Sequence, residues 1–159
     1  MEVEFDVKIT PNILYDYMLQ HTYSRLPGLM GTLVGALMLV LFASNRQPLV
    51  LIIALVILLY LPWTLFVKSR RQILTNPSFQ EPLRYTLDEE GLTVSQGEAQ
   101  ERMDWENMHK AVSTGRSIIL YTSPVNATIF PKRQLGEERT AVVEMISTHM
   151  PPKKVKIRS

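Results

Sequence analysis

The sequence predicts an α+β membrane protein: a two-helix transmembrane hairpin joined to a small antiparallel β domain with a C-terminal capping helix. Three observations carry this. Residues 26–67 hold two apolar runs, Leu26 to Ser44 and Pro48 to Val67, parted only by Asn45, Arg46 and Gln47. From Arg84 to Phe130 the chain breaks into short apolar runs between turn residues. Glu137 to Met150 then gathers Val142, Val143, Met145, Ile146 and Met150 on one broad side, the pattern of an amphipathic helix.

The hairpin follows from length. A helix rises about 1.5 Å per residue, so ~20 apolar residues cross a hydrocarbon core of ~30 Å. Each run is long enough, and the three-residue gap permits only a tight antiparallel turn. Arg25, Lys68, Arg70 and Arg71 flank one end, whereas Arg46 stands alone at the other. By the positive-inside rule both termini are cytoplasmic. Trp63 and Phe66 fit an aromatic belt near the basic end, and Pro62 falls where freed backbone groups can find water. The opening Met1-Glu2-Val3-Glu4-Phe5-Asp6 lacks the basic start of a signal peptide, so the first run reads as a permanent anchor. Gly31 and Gly35 form a small-xxx-small pair, a candidate for helix packing within the chain or in a homo-oligomer; the intrachain reading is favoured because the second helix is at hand. Neither run contains a charge, which argues against an ion pathway.

Residues 1–25 read as a strand and a juxtamembrane helix. Val3, Phe5, Val7 and Ile9 alternate with polar residues, as on a half-buried strand. Thr10 and Pro11 give an N-cap and a first-turn proline for a helix over about 11–24. Residues 68–83 read as a linker whose start, Ser69 to Asn76, is polar helix or coil. Residues 84–150 form the β domain, with strands at Arg84–Leu87, Leu92–Ser95, Gln100–Asp104, Ala111–Thr114, Ser117–Tyr121 and Ala127–Phe130. Gly91 is expected to supply a positive φ in the first hairpin. Residues 151–159 read as a basic, disordered tail. Six strands plus the N-terminal one, closed by a helix, match the count of a pleckstrin-homology (PH)-like barrel.

The layout resembles the YcxB-like family of small bacterial membrane proteins. The residues carrying the resemblance are Thr10-Pro11 after a strand, the hairpin, Arg84-Tyr85-Thr86-Leu87 leading to Glu90-Gly91-Leu92, Asp104-Trp105, and Pro131-Lys132-Arg133. It implies a bacterial cytoplasmic membrane and a PH-like soluble domain, and no activity that transfers residue by residue.

Composition narrows the function. A net charge of +2 does not predict a nucleic-acid partner. The chain has no cysteine, which removes disulfides, thiolate metal sites and cysteine nucleophiles together. His21, His109 and His149 lack metal spacing, and no nucleophile elbow, P-loop or dinucleotide pattern occurs. Asp88, Glu89 and Glu90 read as a solvated turn. No catalytic, metal or cofactor residue is expected, and the chain does not read as an enzyme. Trp105 is a candidate anchor for a partner, although a core role is favoured. Lys132 and Arg133 are candidates for an anionic headgroup, and Lys153 and Lys154 in the tail for lipid or partner contact. The acidic first hairpin argues against the phosphoinositide mode of PH domains. The leading expectation is a non-enzymatic, membrane-anchored module that recruits a protein partner, with an exposed sheet edge as the candidate surface; the alternative is a sensor of anionic lipid.

Overall fold

A computed structural model describes residues 2–157. Strand β1 (Val3–Val7) buries Val3, Phe5 and Val7 and exposes Glu4 and Asp6, as the alternation requires. Thr10 then caps α1 (Pro11–Tyr23), its hydroxyl accepting the Ile13 N–H at 3.5 Å. Ser24 and Arg25 break the helix before α2 (Leu26–Asn45) begins. Arg46, at φ 52°, turns the chain into α3 (Pro48–Thr75). Both α2 and α3 are long and apolar enough to cross a membrane. Leu33, Leu37 and Val40 on α2, and Ile52, Val56 and Leu59 on α3, are exposed, unlike those of a soluble core helix.

Helix α3 does not stop at Val67. It runs 28 residues, carrying Lys68, Arg70 and Arg71 outward as a helical stalk, so the irregular connection is only 76–82, with a 3₁₀ turn at Pro77–Phe79. Gly35 explains the close hairpin: a Cβ there would lie 2.6 Å from the Leu58 side chain, whereas at Gly31 the nearest contact would be Leu61 at 3.8 Å. Both glycines face α3 of the same chain.

The chain then builds β2 (Leu83–Leu87), β3 (Gly91–Gln96) and β4 (Ala99–Asp104), followed by β5 (Lys110–Ser113), β6 (Ser117–Tyr121) and β7 (Ala127–Pro131). Helices α4 (Lys132–Leu135) and α5 (Glu138–His149) come next, and β8 (Val155–Lys156) ends the described chain. One sheet is ordered β1-β2-β3-β4 and the other β7-β6-β5-β8. The expected curved sheet is therefore two four-stranded sheets. The first strand, written before the hairpin, pairs antiparallel with β2, written after it, with Phe5 opposite Tyr85. The helical hairpin is thus inserted into the α+β domain, whose core takes Val3, Phe5, Val7, Ile9 and Leu14 from the N-terminal side. Phe5, Tyr85 and Phe130 meet at ring separations of 5.2–5.8 Å at the centre, and Val142, Met145 and Ile146 of α5 join them.

Two expectations need correction. Gly91 has no positive φ; the positive-φ glycines are Gly97 and Gly136. Gly91 opens β3, where a Cβ would collide with the Met103 carbonyl of β4, so close strand approach is its reason. The tail is not disordered over its described part. A 3₁₀ turn at Pro152–Lys154 leads into β8, which pairs parallel with β5, Val155 opposite Ala111. Lys154 Nζ donates to the Met108 carbonyl at 2.9 Å. That bond and the open β5 edge give the segment partners that its composition does not advertise. Arg158 lies outside the described residues.

Candidate functional site

The β5–β6 turn is built to hold Arg116 in place. The Thr114 hydroxyl donates to Asp16 of α1 at 2.5 Å and accepts the Arg116 and Ser117 N–H groups at 3.1 and 3.0 Å. The Thr114 carbonyl accepts Lys132 Nζ at 2.7 Å, and the Lys132 N–H donates to the Arg116 carbonyl at 2.9 Å. Turn, α1 and α4 are thereby locked together. Gln134 closes the far side, bonding both backbone groups of Lys8 at 2.8 and 2.9 Å.

Between them lies a cavity of about 460 Å³ walled by Thr10, Asn12, Arg116, Lys132 and Arg133, among others. Among the described residues no carboxylate is in its wall, the nearby Asp16 being bonded to Thr114. Arg116 and Arg133 are exposed, while Lys132 is half-buried. Burial lowers the Lys132 pKa, and Arg139 lowers it further, against an opposing pull from Asp16. The local field is therefore positive, and since Pro11 has no N–H and Thr10 takes those of Ile13 and Leu14, the first turn of α1 adds the Asn12 N–H to the same side. Such a cleft is equipped to accept an anion through charge-assisted hydrogen bonds. The sequence pointed to Lys132 and Arg133 but not to Arg116, 16 residues upstream of Lys132, whose place depends on the β5–β6 turn meeting α4.

The cleft also lies close to the membrane-length helices. Tyr15, one turn along α1 from Asn12, packs edge-on against Phe66 of α3 at 5.7 Å. Phe66 lies 6.3 Å from Trp63 and under the Arg70 guanidinium at 4.6 Å. At about 1.5 Å per residue, Asn12 is only ~5 Å along α1 from that aromatic group. Beside it, Tyr15, Tyr60, Pro62, Trp63 and Phe66 line an apolar recess of about 600 Å³.

The remaining candidate residues are dispersed. Trp105 is 5% exposed, so its ring presents almost no surface to a partner. Its Nε1–H donates to the Asp88 carbonyl at 2.8 Å, and its ring stacks on His149 at 5.5 Å. Lys153 is exposed, whereas Lys154 is held by Met108. Asp88 serves as an anchor: it accepts the Glu90 and Gly91 N–H groups at 2.8 Å each and pairs with Arg102. Burial acts to raise its pKa, but the Gly91 and Glu90 bonds and the Arg102 charge outweigh that and hold it below the usual carboxylate range.

Strand β4 pairs with β3 alone among the described residues, and most of its residues are exposed. It borders a groove of about 470 Å³ floored by Leu14, Tyr85 and Ile129 and edged by Glu101, Met103 and Val125.

Two membrane-length helices set into an α+β domain, with a cationic cleft beside them, define the class of protein. Residues 87–146, from the last residue of β2 into α5, match the family model described as YcxB-like protein. The match takes in Glu90-Gly91-Leu92, Asp104-Trp105 and Pro131-Lys132-Arg133, and leaves Thr10-Pro11 and the hairpin outside it. No curated protein and no solved structure matches the chain.

Proposed function

We propose that this chain is a non-enzymatic module, anchored by α2 and α3 in the bacterial cytoplasmic membrane, whose PH-like domain binds the anionic headgroup of a lipid at the inner leaflet. The observation that carries this reading is the Arg116–Lys132–Arg133 cleft, free of carboxylates and within a turn of the Tyr15–Phe66–Trp63 aromatic group. Aromatic residues of that kind favour the membrane–water interface, and cations beside an anionic leaflet gain about 1 kcal/mol each. The apolar recess next to Tyr15 suits the acyl region of the same lipid layer. A structural reading competes for Lys132, whose ammonium joins α4 to the β5–β6 turn; Arg116 and Arg133 carry no such bond among those described. Hydrogen exchange of the full-length protein in nanodiscs tests the proposal. Adding anionic lipid to a neutral bilayer should slow exchange at Asn12, Ile13 and the 114–117 turn. Unchanged exchange there would defeat it.

A second reading, recruitment of a protein partner, is favoured by the open edge of β4 and its groove. Both are suited to an extended segment that adds a strand. Charged Glu101, Arg102 and Asp104 on that strand also suit an edge that merely resists aggregation. Photocrosslinking in cells from position 101 decides: one enriched foreign protein supports recruitment, and adducts only to lipid or to a second copy exclude it.

A further inference from the structure

A separate group of basic side chains, two of them the cations Arg25 and Lys110, converges at the opposite end of α1. His21, Arg25, His109 and Lys110 wall a cavity of about 140 Å³, together with Ser24, Tyr121 and Pro124 and without a carboxylate. The side chains of Arg25, Lys110 and His21 are each held there by a specific contact, and His109 is placed through its backbone N–H. The Arg25 guanidinium donates to the Pro124 carbonyl, leaving most of its five N–H groups for another acceptor. Lys110 Nζ sits 4.7 Å above the Tyr121 ring. The His21 ring stacks on Tyr121 at 5.8 Å with Nδ1 3.3 Å from the phenol oxygen, so Nε2 is the nitrogen left for a ligand. The His109 N–H is fixed to the Tyr121 carbonyl at 2.8 Å. Bringing like charges together costs free energy unless an anion offsets them.

We propose that this cavity binds a terminal phosphate, a group that the choline diester of phosphatidylcholine does not offer, and that its position, with Arg25 immediately before the first residue of α2, makes the headgroup of an anionic phospholipid the source. The site is compact beside the 460 Å³ cleft, so it fits a phosphate rather than an extended headgroup. The carbonyl end of α1, which would repel an anion, is already capped: Gln20 and Thr22 accept the Ser24 and Arg25 N–H groups. The inference does not rest on the Arg116–Lys132–Arg133 cleft, with which it shares no residue.

The site should be coupled to protonation. Burial, Arg25 and Lys110 all lower the His21 pKa, which favours the neutral ring while the cavity lacks an anion. The groups facing that ring are Tyr17 from α1, Arg25 from the break before α2, Tyr121 from β6, and His109 and Lys110 from β5 and the residue before it. A phosphate would reverse the sign of the local field and draw a proton onto His21. Binding should therefore strengthen as pH falls through the histidine range.

The test uses full-length protein in nanodiscs, with the three histidine rings titrated by NMR. In phosphatidylcholine alone, His21 should titrate below the ordinary histidine value. Phosphatidic acid should raise its midpoint to that value or above, while His149, stacked on Trp105, serves as the reference. Lys110→Gln should abolish most of the rise, and Arg116→Gln/Arg133→Gln should leave it intact. Inorganic phosphate added to phosphatidylcholine nanodiscs supplies the other arm. A rise there as well supports a phosphate site open to soluble phosphate. No rise in either arm, or equal rises at His21 and His149 that survive Lys110→Gln, would overturn the proposal and leave a solvated basic flank.

Discussion

Asp88 is a carboxylate whose role is structural. Two backbone N–H groups and Arg102 converge on it, so its folded-state pKa lies below the unfolded value. A depressed carboxylate contributes stability that is complete above the unfolded pKa and fades as pH falls through the folded one. Asp88→Asn should therefore be less stable than the parent at neutral pH, and the two should converge in acid; chemical unfolding across pH measures the gap, and a gap that persists in acid would refute the assignment. Trp105 gives a companion prediction. In a Trp63→Phe background its emission should be blue-shifted and shielded from acrylamide. Trp105→Phe, which removes the bond to the Asp88 carbonyl, should cost about 1 kcal/mol. The tendency of Trp105 to be buried is readable from its type, because a tryptophan in a small domain has few other places to put its area. Its partner is not: Asp88 lies 17 residues away, across a strand pairing that composition does not specify.

At the level of elements, the hairpin and β1 are the most legible. Long apolar runs and strict alternation depend only on neighbours in the chain, and so survive without knowledge of topology. Gly31 and Gly35 look equivalent in sequence, but the register of α2 on α3 separates them. Gly35→Ala should lower the thermal midpoint, since Leu58 must move for the added methyl, at an overpacking cost of ~1–3 kcal/mol. Gly31→Ala, with ordinary contact distance available, should leave it nearly unchanged. Equal effects would mean the helices pack in another register. Strand β8 was illegible because two residues of a basic tail have no strand signal of their own; the β5 edge supplies the ladder. Removing 151–159 should speed amide exchange at Ala111, whose N–H faces β8, more than at Val112, whose N–H faces β6, and unaltered exchange at Ala111 would show that β8 does not hold that edge.

On the scale of the molecule, the main consequence is that the β domain is closed by a strand that precedes the helical hairpin in the chain. Residues 84–150 alone lack β1 and its buried Val3, Phe5 and Val7, so experiments on binding belong to the full chain. The same insertion lays α1 across β6: Asp16 meets Thr114 near one end, and His21 and Arg25 meet Tyr121 and Pro124 near the other. Cations gather at both ends of that helix. Lys132 and Arg133 were visible in sequence as a pair, but the site they form with Arg116 arises only when α1 and α4 close on the β5–β6 turn.

The most direct measurement is lipid enrichment around the full-length protein. Protein in nanodiscs of mixed neutral and anionic lipid would be analysed by native mass spectrometry, with Lys110→Gln, which disables the second site, as the parent and Arg116→Gln/Arg133→Gln added to it as the variant that spares the Lys132–Thr114 bond. At about 1 kcal/mol for each of the two cations removed, the parent should retain anionic lipid above its bulk share and the double variant should lose that preference by roughly thirtyfold. Equal enrichment in parent and variant would contradict headgroup binding at the cleft.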